Sequence, residues 1–218
     1  LEFWRAILPQ VLTHRQFSRS TSSSRAQASS KVAISFYMPK FSREQRGMQG
    51  AQDLHEDLEI QAQDVWDEAF TQMQYAVDRL EQLGVHRQHR NRLLEPFTEC
   101  AMVLTATEWE NFFTLRRAPE AQHEIRELAD AMYEALQQSV PLESPFHLPY
   151  LTPTGSMRDL FNISAACCAR VSYRNDYQRH TPPVDETASL RLAARLLRDQ
   201  HMSPFEHQAI AYPLVRER

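Results

Sequence analysis

Between Gln52 and Leu83 apolar residues recur with a period near 3.6, placing Leu54, Leu58, Ala62, Val65, Trp66, Ala69, Phe70, Met73, Val77 and Leu80 on one stripe. That spacing predicts a long amphipathic helix, and Gly84 stands where a left-handed C-cap is wanted. A second stripe, Ala121, Ile125, Leu128, Met132 and Leu136, predicts a helix over 119–139, with Pro119 in its first turn and Pro141 beyond its end. Met157–Tyr173 and Ala188–Gln200 read as further helices, Val85–Leu94 as a basic helical segment, and Phe3, Trp4, Ile7, Leu8, Val11 and Leu12 recur at helical spacing. Strand signals are shorter, at Val32–Tyr37 and Cys100–Thr105. Polar or Pro-rich loops at 41–50, 143–155 and 175–184 separate these segments. The pattern describes a helix-rich α+β fold around a small sheet.

Composition narrows the picture. The 218 residues, 42% hydrophobic, suit one mixed domain over 1–218. No apolar run approaches the roughly 20 residues of a membrane span. Cys100, Cys167 and Cys168 offer no disulfide framework, which fits a reducing cytoplasm. Only four glycines occur, so a dinucleotide would have to be held by side chains and helix ends instead of a Gly-rich loop. His86 and His89 lack an acidic or Cys partner at ligand spacing, so no metal site is expected. The chain starts without Met, and both ends read as cut.

Charge is segregated. Phe3–Arg43 holds no Asp or Glu but seven Arg and Lys residues, leaving 17 basic against 28 acidic residues elsewhere. Within that window, Thr13–Ala26 packs His14, Arg15, Arg19 and Arg25 among a run of hydroxyl side chains. Arg grips phosphate through paired charge-assisted hydrogen bonds, and hydroxyls satisfy the remaining oxygens, so the stretch reads as an oxyanion cradle. A flexible linker or a basic nucleic-acid arm has similar composition. The apolar flank at Phe3–Leu12 favours the cradle, because an arm needs no anchor.

The string Thr-His-Arg-x-Phe-Ser-Arg-x-x-Ser-Ser-Ser-Arg-Ala at 13–26 resembles the signature of flavin-dependent thymidylate synthases, in the variant of longer phage-type and bacterial members. Thr13, Ser20, Thr21 and Ala26 depart from the usual Arg, Asn, Glu and Tyr. Arg46-Gly-Met-Gln-Gly resembles an element those members carry at this place. Asn111-Phe-Phe-Thr-Leu-Arg followed by Ala121-Gln-His-Glu-Ile resembles the second signature, and Ala169-Arg-Val-Ser-Tyr a further block in which Cys167 replaces a frequent Arg. His201-Met-Ser-Pro-Phe-Glu-His resembles the third signature.

The resemblance implies the family's α+β fold and the reductive methylation of dUMP to dTMP. Methylenetetrahydrofolate would supply the carbon, NADPH the electrons and FAD their relay. It implies that Gln10, Ser23, Arg25, Arg92 and Arg116 hold dUMP, with Arg116 and Ser23 at the reacting ring and Ser23 acting as a ligand, not a nucleophile. His14, Arg15, Asn111, His201, Ser203 and Glu206 would hold FAD. A homotetramer with active sites shared between subunits is also implied. The competing expectation is a degenerate relative that keeps an anion site without turnover. A nucleic-acid-binding protein is the third, against which the separate signatures speak.

Overall fold

The first twelve residues do not make the single helix their spacing suggests. Strand β1, Glu2–Trp4, leads through a 3₁₀ turn, Arg5–Ile7, into the short helix α1, Leu8–Leu12. Their apolar set is still the anchor expected, with Phe3, Ile7 and Val11 buried. The computed structural model describes residues 2–14, 17–44, 52–141, 143–151, 156–173 and 184–211. Arg15, Arg46-Gly-Met-Gln-Gly and most of the 175–184 loop lie outside the described residues.

After strand β2, Ser18–Thr21, and a 3₁₀ turn at Ser24–Ala26, residues expected to form a strand make helix α2, Ser29–Ile34. Ser29 and Val32 are buried there, with the partly buried Ala33 and Phe36 packed beside them, which is a helical spacing. Ile34, which a strand would turn inward with Val32, is 85% exposed. Packing against a neighbouring helix has overridden β-propensity. That neighbour is α3, Glu56–Gln82, with Glu56, Asp57 and Glu59 at its positive end. It closes as a Schellman motif: Gly84 at φ +74° lets its N–H reach the Glu81 carbonyl, and Val85 N–H the Leu80 carbonyl, both at 2.9 Å.

Phe70 and Val77 of α3 join Val32, Leu94 and Phe97 in one core, with Trp66, Ala69 and Met73 against it. Leu58 and Val65, expected in the same stripe, are 52% and 65% exposed, because the core partners meet only the later turns of the helix. Helix α4, Arg87–Arg90, and a 3₁₀ segment, Asn91–Phe97, lead into strand β3, Glu99–Thr105. Helix α5, Glu110–Arg116, precedes α6, His123–Gln138. The latter starts later than expected, because Pro119 occupies a turn in which Ala121 N–H bonds the Ala118 carbonyl at 2.9 Å. Its stripe is buried at Ile125, Leu128 and Met132, but Leu136 is 48% exposed.

The remaining elements are the two-residue strand β4, Phe146–His147, helices α7, Met157–Ala169, and α8, Glu186–Arg198, and strand β5, Ala209–Ile210. Neither β4 nor β5 was legible among the prolines. The chain forms two compact units. The first comprises Leu1–Gln16, Ser23–Ala101 and Thr107–Ser139, and the second Phe17–Ser22, Met102–Ala106 and Val140–Arg218. In the first, β1 runs antiparallel to the start of β3, Phe3 opposite Cys100. In the second, β2 runs antiparallel to the end of β3, Ser20 opposite Val103, and β4 pairs with β5. There α7 packs on α8 through small residues: Ala165, Ala166, Cys167 and Cys168 are fully buried, facing a helix whose Ser189 and Ala193 are equally covered. The fold is the helix-rich α+β class expected.

Candidate functional site

In the first unit the focus is Arg116, the last residue of α5, a helix anchored by buried Phe112 and Phe113. The guanidinium is half-buried and donates Nε–H to His14 Nε2 at 3.1 Å. Its Nη2 donates to Thr13 Oγ1 at 3.1 Å and to the Gln10 carbonyl at 3.3 Å. Among the described residues no carboxylate pairs with it, and burial draws its pKa below the ordinary arginine value. The His14 ring stands edge-on to Phe112 at 5.0 Å. Burial, then the Arg116 charge, lowers the His14 pKa, so the ring is neutral and accepts at Nε2. Arg116 is therefore not the surface arginine paired with Glu108 or Glu120 that its helix position alone would suggest.

A polar row extends from this pair. Gln10 donates through Nε2 to Gln122 Oε1 at 2.6 Å, and Gln122 donates to Glu124 Oε2 at 2.8 Å. Buried Glu124 accepts the Lys40 N–H at 3.0 Å through its other oxygen, so its carboxylate is held from both sides. Gln10, Thr13, Arg116, Gln122 and Glu124, with Trp4, Phe41 and Trp66, line a cleft of about 810 Å³. Aromatic walls with convergent amide edges suit a planar heterocycle.

Ser23, Arg25 and Arg92 belong to the same unit but do not line that cleft. Arg25 and Arg92 are exposed, and among the described residues neither has a hydrogen-bond or ion-pair partner. Asn111, on α5, is exposed as well. The nucleotide set drawn from the sequence is thus divided: Gln10 and Arg116 line the cleft, and Ser23, Arg25 and Arg92 do not.

In the second unit, part of the expected cradle meets the third signature. The stretch 13–26 is not one concave loop: Phe17–Ser22 belongs to this unit, its flanks to the other. On β2, Ser20 lies 3.0 Å from His207 Nε2, and His207 Nδ1 lies 3.0 Å from Thr105 Oγ1. His207 is fully buried, and burial together with the charge of His147 pushes its pKa down to about 4. This neutral imidazole ties β2, β3 and the Ser203–Glu206 3₁₀ turn together. It is a pin and not the metal ligand that the spacing of His201, Glu206 and His207 could suggest; those first two side chains are exposed. Likewise His86 caps α4, accepting Gln88 N–H at 3.3 Å.

Beside the pin, a cleft of about 940 Å³ is lined by Arg19, Arg170, Arg191, Arg195, His201 and Ser203, with no carboxylate in its wall among the described residues. Arg170 is fixed by donating to Ser189 Oγ at 2.9 Å, whereas Arg191 and Arg195 are exposed one turn apart on α8. Glu206 does not line this cleft. Cys168 does, with its sulfur buried and 3.8 Å from Gln208 Nε2. Sequence reasoning missed Arg170, Arg191 and Arg195. The signal was two like charges at i, i+4 on one amphipathic helix, which is destabilising unless an anion is offered there.

The family model described as thymidylate synthase complementing protein matches residues 1–142. No curated protein sequence matches the chain. Among solved structures, the chain resembles a UMP/dUMP methylase, PolB from Streptomyces cacaoi, bound with 5-Br UMP, with a TM-score of 0.53 and 19% identity. The likeness covers 63% of this chain and 66% of that one, and at this identity it speaks for the fold.

Proposed function

Because the chain belongs to the thymidylate synthase complementing protein family, we propose that residues 1–218 work as a flavin-dependent thymidylate synthase. The reaction is the methylation of dUMP to dTMP with methylenetetrahydrofolate as carbon donor and NADPH as reductant. The observation that carries this reading is Arg116, a half-buried guanidinium without a carboxylate partner among the described residues, aimed by His14, Thr13 and Gln10. A cation held so, at the wall of a cleft, stabilises negative charge developing on a bound ring without reorganising during the step. The aromatic walls and the Gln10–Gln122–Glu124 row hold a pyrimidine by its faces and its hydrogen-bonding edge. Ser23, Arg25 and Arg92 take the phosphate. The similarity to a methylase that binds a bromo-UMP supports a pyrimidine nucleotide as substrate.

The residues of the second unit fit the adenine dinucleotide flavin. The cleft has a size in the usual ligand range, and its arginines offer charge for two phosphates. In this unit His201 and Ser203 would hold FAD, and Arg170, Arg191 and Arg195 join them; the family resemblance adds Arg15, and also His14, Asn111 and Glu206, which do not line this cleft. When bound, the flavin supplies the reducing equivalents. The protein's part is placement and field: Arg116 polarises, neutral His14 orients Arg116, and the buried His207 keeps the cleft wall rigid. No described helix is long and apolar enough to cross a membrane. We place the enzyme in the cytoplasm, as a homotetramer.

The test is direct. The purified full chain should carry or take up a yellow flavin and should convert dUMP to dTMP with methylenetetrahydrofolate and NADPH. A chain that binds flavin and dUMP yet yields no dTMP is a non-catalytic relative that keeps the nucleotide site. A colourless chain that cannot be reconstituted and binds no dUMP overturns the reading.

A further inference from the structure

Among the described polar groups that the proposed chemistry does not use, Asn91 is fully buried and engaged through both ends of its amide. It has no exposed surface, and it opens the 3₁₀ segment that also carries Arg92. Its Nδ2 donates to two backbone carbonyls of the loop bearing Arg25, Ser24 O at 2.8 Å and Gln27 O at 3.0 Å. Its Oδ1 accepts the hydroxyl of Ser29 at 2.7 Å. Ser29 in turn accepts from Arg90 Nε at 2.9 Å, and Arg90 is fastened to Glu81 Oε1 and the Val85 carbonyl, both at 2.6 Å. The Ser24 hydroxyl is bound to Glu95.

One amide side chain therefore clamps the Ser24–Gln27 loop from both ends. It does so from the residue adjacent to Arg92. The inward-facing Asn91 and the outward-facing Arg92 are neighbours in the chain, as are Ser24 and Arg25. Every hydrogen bond that fixes Ser24 against Asn91 also fixes where Arg25 emerges relative to Arg92. The backbone positions from which two exposed guanidiniums leave, both without partners among the described residues, are thus joined by a buried rod of hydrogen bonds. A bare packing role would be served by an apolar residue, which needs none of these partners.

We infer that Asn91 is a positioning residue that sets the spacing of Arg25 and Arg92 as a two-arginine clamp for a nucleotide phosphate. The inference rests on the proposed binding of a pyrimidine nucleotide. Loss of the amide leaves both arginines present and charged but lets the loop move, so affinity for phosphate falls although no contact to it is removed. Pre-organised forks lose less freedom on binding, and this advantage is what the substitution takes away.

Calorimetry of the full chain with dUMP provides the test, in a double-substitution cycle. Asn91→Ala should weaken dUMP about tenfold, Arg25→Ala about tenfold to a hundredfold, and the double variant no further than Arg25→Ala alone. Flavin affinity should stay within about twofold, since the displaced loop is not in its cleft. Independent, additive losses, or an equal loss of flavin and dUMP, would make Asn91 a general structural residue and overturn the inference. An Asn91→Ala affinity equal to that of the unmodified chain would overturn it too. If that variant does not fold, Ser29→Ala, which removes only the hydroxyl orienting the amide, decides by the same cycle: a smaller, non-additive loss supports the clamp, and additivity or no effect rejects it. Failure of the unmodified chain to bind dUMP would instead reject the nucleotide reading on which the clamp depends.

Discussion

In the first unit the Arg116 guanidinium spends its N–H groups on His14, Thr13 and Gln10, whereas in the second Arg191 and Arg195 stand exposed one turn apart and Arg170 is tied down through Ser189. A cation fixed by neutral partners keeps its full charge and a fixed direction, which suits a place where charge appears during a reaction. Exposed cations on flexible stems suit a ligand that arrives already charged, because the side chains can close around its oxygens. The same residue type is thus arranged for two tasks. The difference lies in what each guanidinium touches before any ligand is present.

The largest expected effect breaks the fixed side of this comparison. Arg116→Ala should lower kcat about 10²–10³-fold, the range seen when a preorganised charge stabiliser is removed, while leaving flavin binding largely intact. Arg116→Lys should recover little, since a point charge cannot reproduce three directed bonds. Steady-state kinetics with separate flavin titration reads both. Because His14 accepts from Arg116 only when neutral, turnover should also fall on acidification, and only below the range where an ordinary histidine protonates, as burial and the Arg116 charge hold its pKa down and a protonated ring would repel the guanidinium.

The second effect tests the rigid wall of the other unit. His207 in an unfolded chain protonates near its ordinary value of 6.5, but in the folded protein only at about 4. Between those values the unfolded state binds more protons, so stability falls as pH falls, by up to about 3 kcal/mol once pH 4 is reached. Urea denaturation across that window should show the slope. His207→Gln should flatten it; an unchanged slope would assign the effect to other groups.

Next in size, the Arg191→Ala, Arg195→Ala double variant should weaken flavin adenine dinucleotide about tenfold to a hundredfold and flavin mononucleotide less, with folding unaffected at these exposed positions. Equal losses for both flavins would place the second phosphate elsewhere.

How far the sequence reached follows from which interactions are local. The 3.6 period and Gly84 announced α3, because a stripe and a C-cap are properties of neighbouring residues. The same stripe could not tell that Leu58 and Val65 would stay exposed, which depends on where distant Val32, Leu94 and Phe97 arrive. Val32–Tyr37 looked like a strand for want of that same long-range information. At the site, motifs singled out Gln10, His14 and Arg116, and the fold brings these three together. Gln122, Glu124, Asn91 and His207 act through partners roughly 60 to 190 residues away, and no spacing rule exposes such pairings. Arg191 and Arg195 were readable as paired like charges, but only the apolar stripe of their helix had been read.

The smallest effect concerns the cysteines, and it separates cofactor chemistry from thiol chemistry. Burial pushes the Cys100 thiol up to about 11, so it stays protonated and a poor nucleophile at neutral pH. Cys167 and Cys168 are buried in the small-residue seam of α7 against α8, where their size matters for packing. Alanine at all three should cost about 1–2 kcal/mol of stability through small cavities and leave turnover within about an order of magnitude. Cys168 is the demanding case, because it alone of the three lines the arginine cleft. Arginines lower a thiol's pKa only where the sulfur can face them and water, and this sulfur is enclosed beside Gln208. Cys168→Ala should therefore behave like Cys167→Ala. A Cys168 variant that binds flavin and dUMP but makes no dTMP, beside an active Cys167 variant, would put a thiolate into the reaction and take from Arg116 its place as the group on which turnover depends.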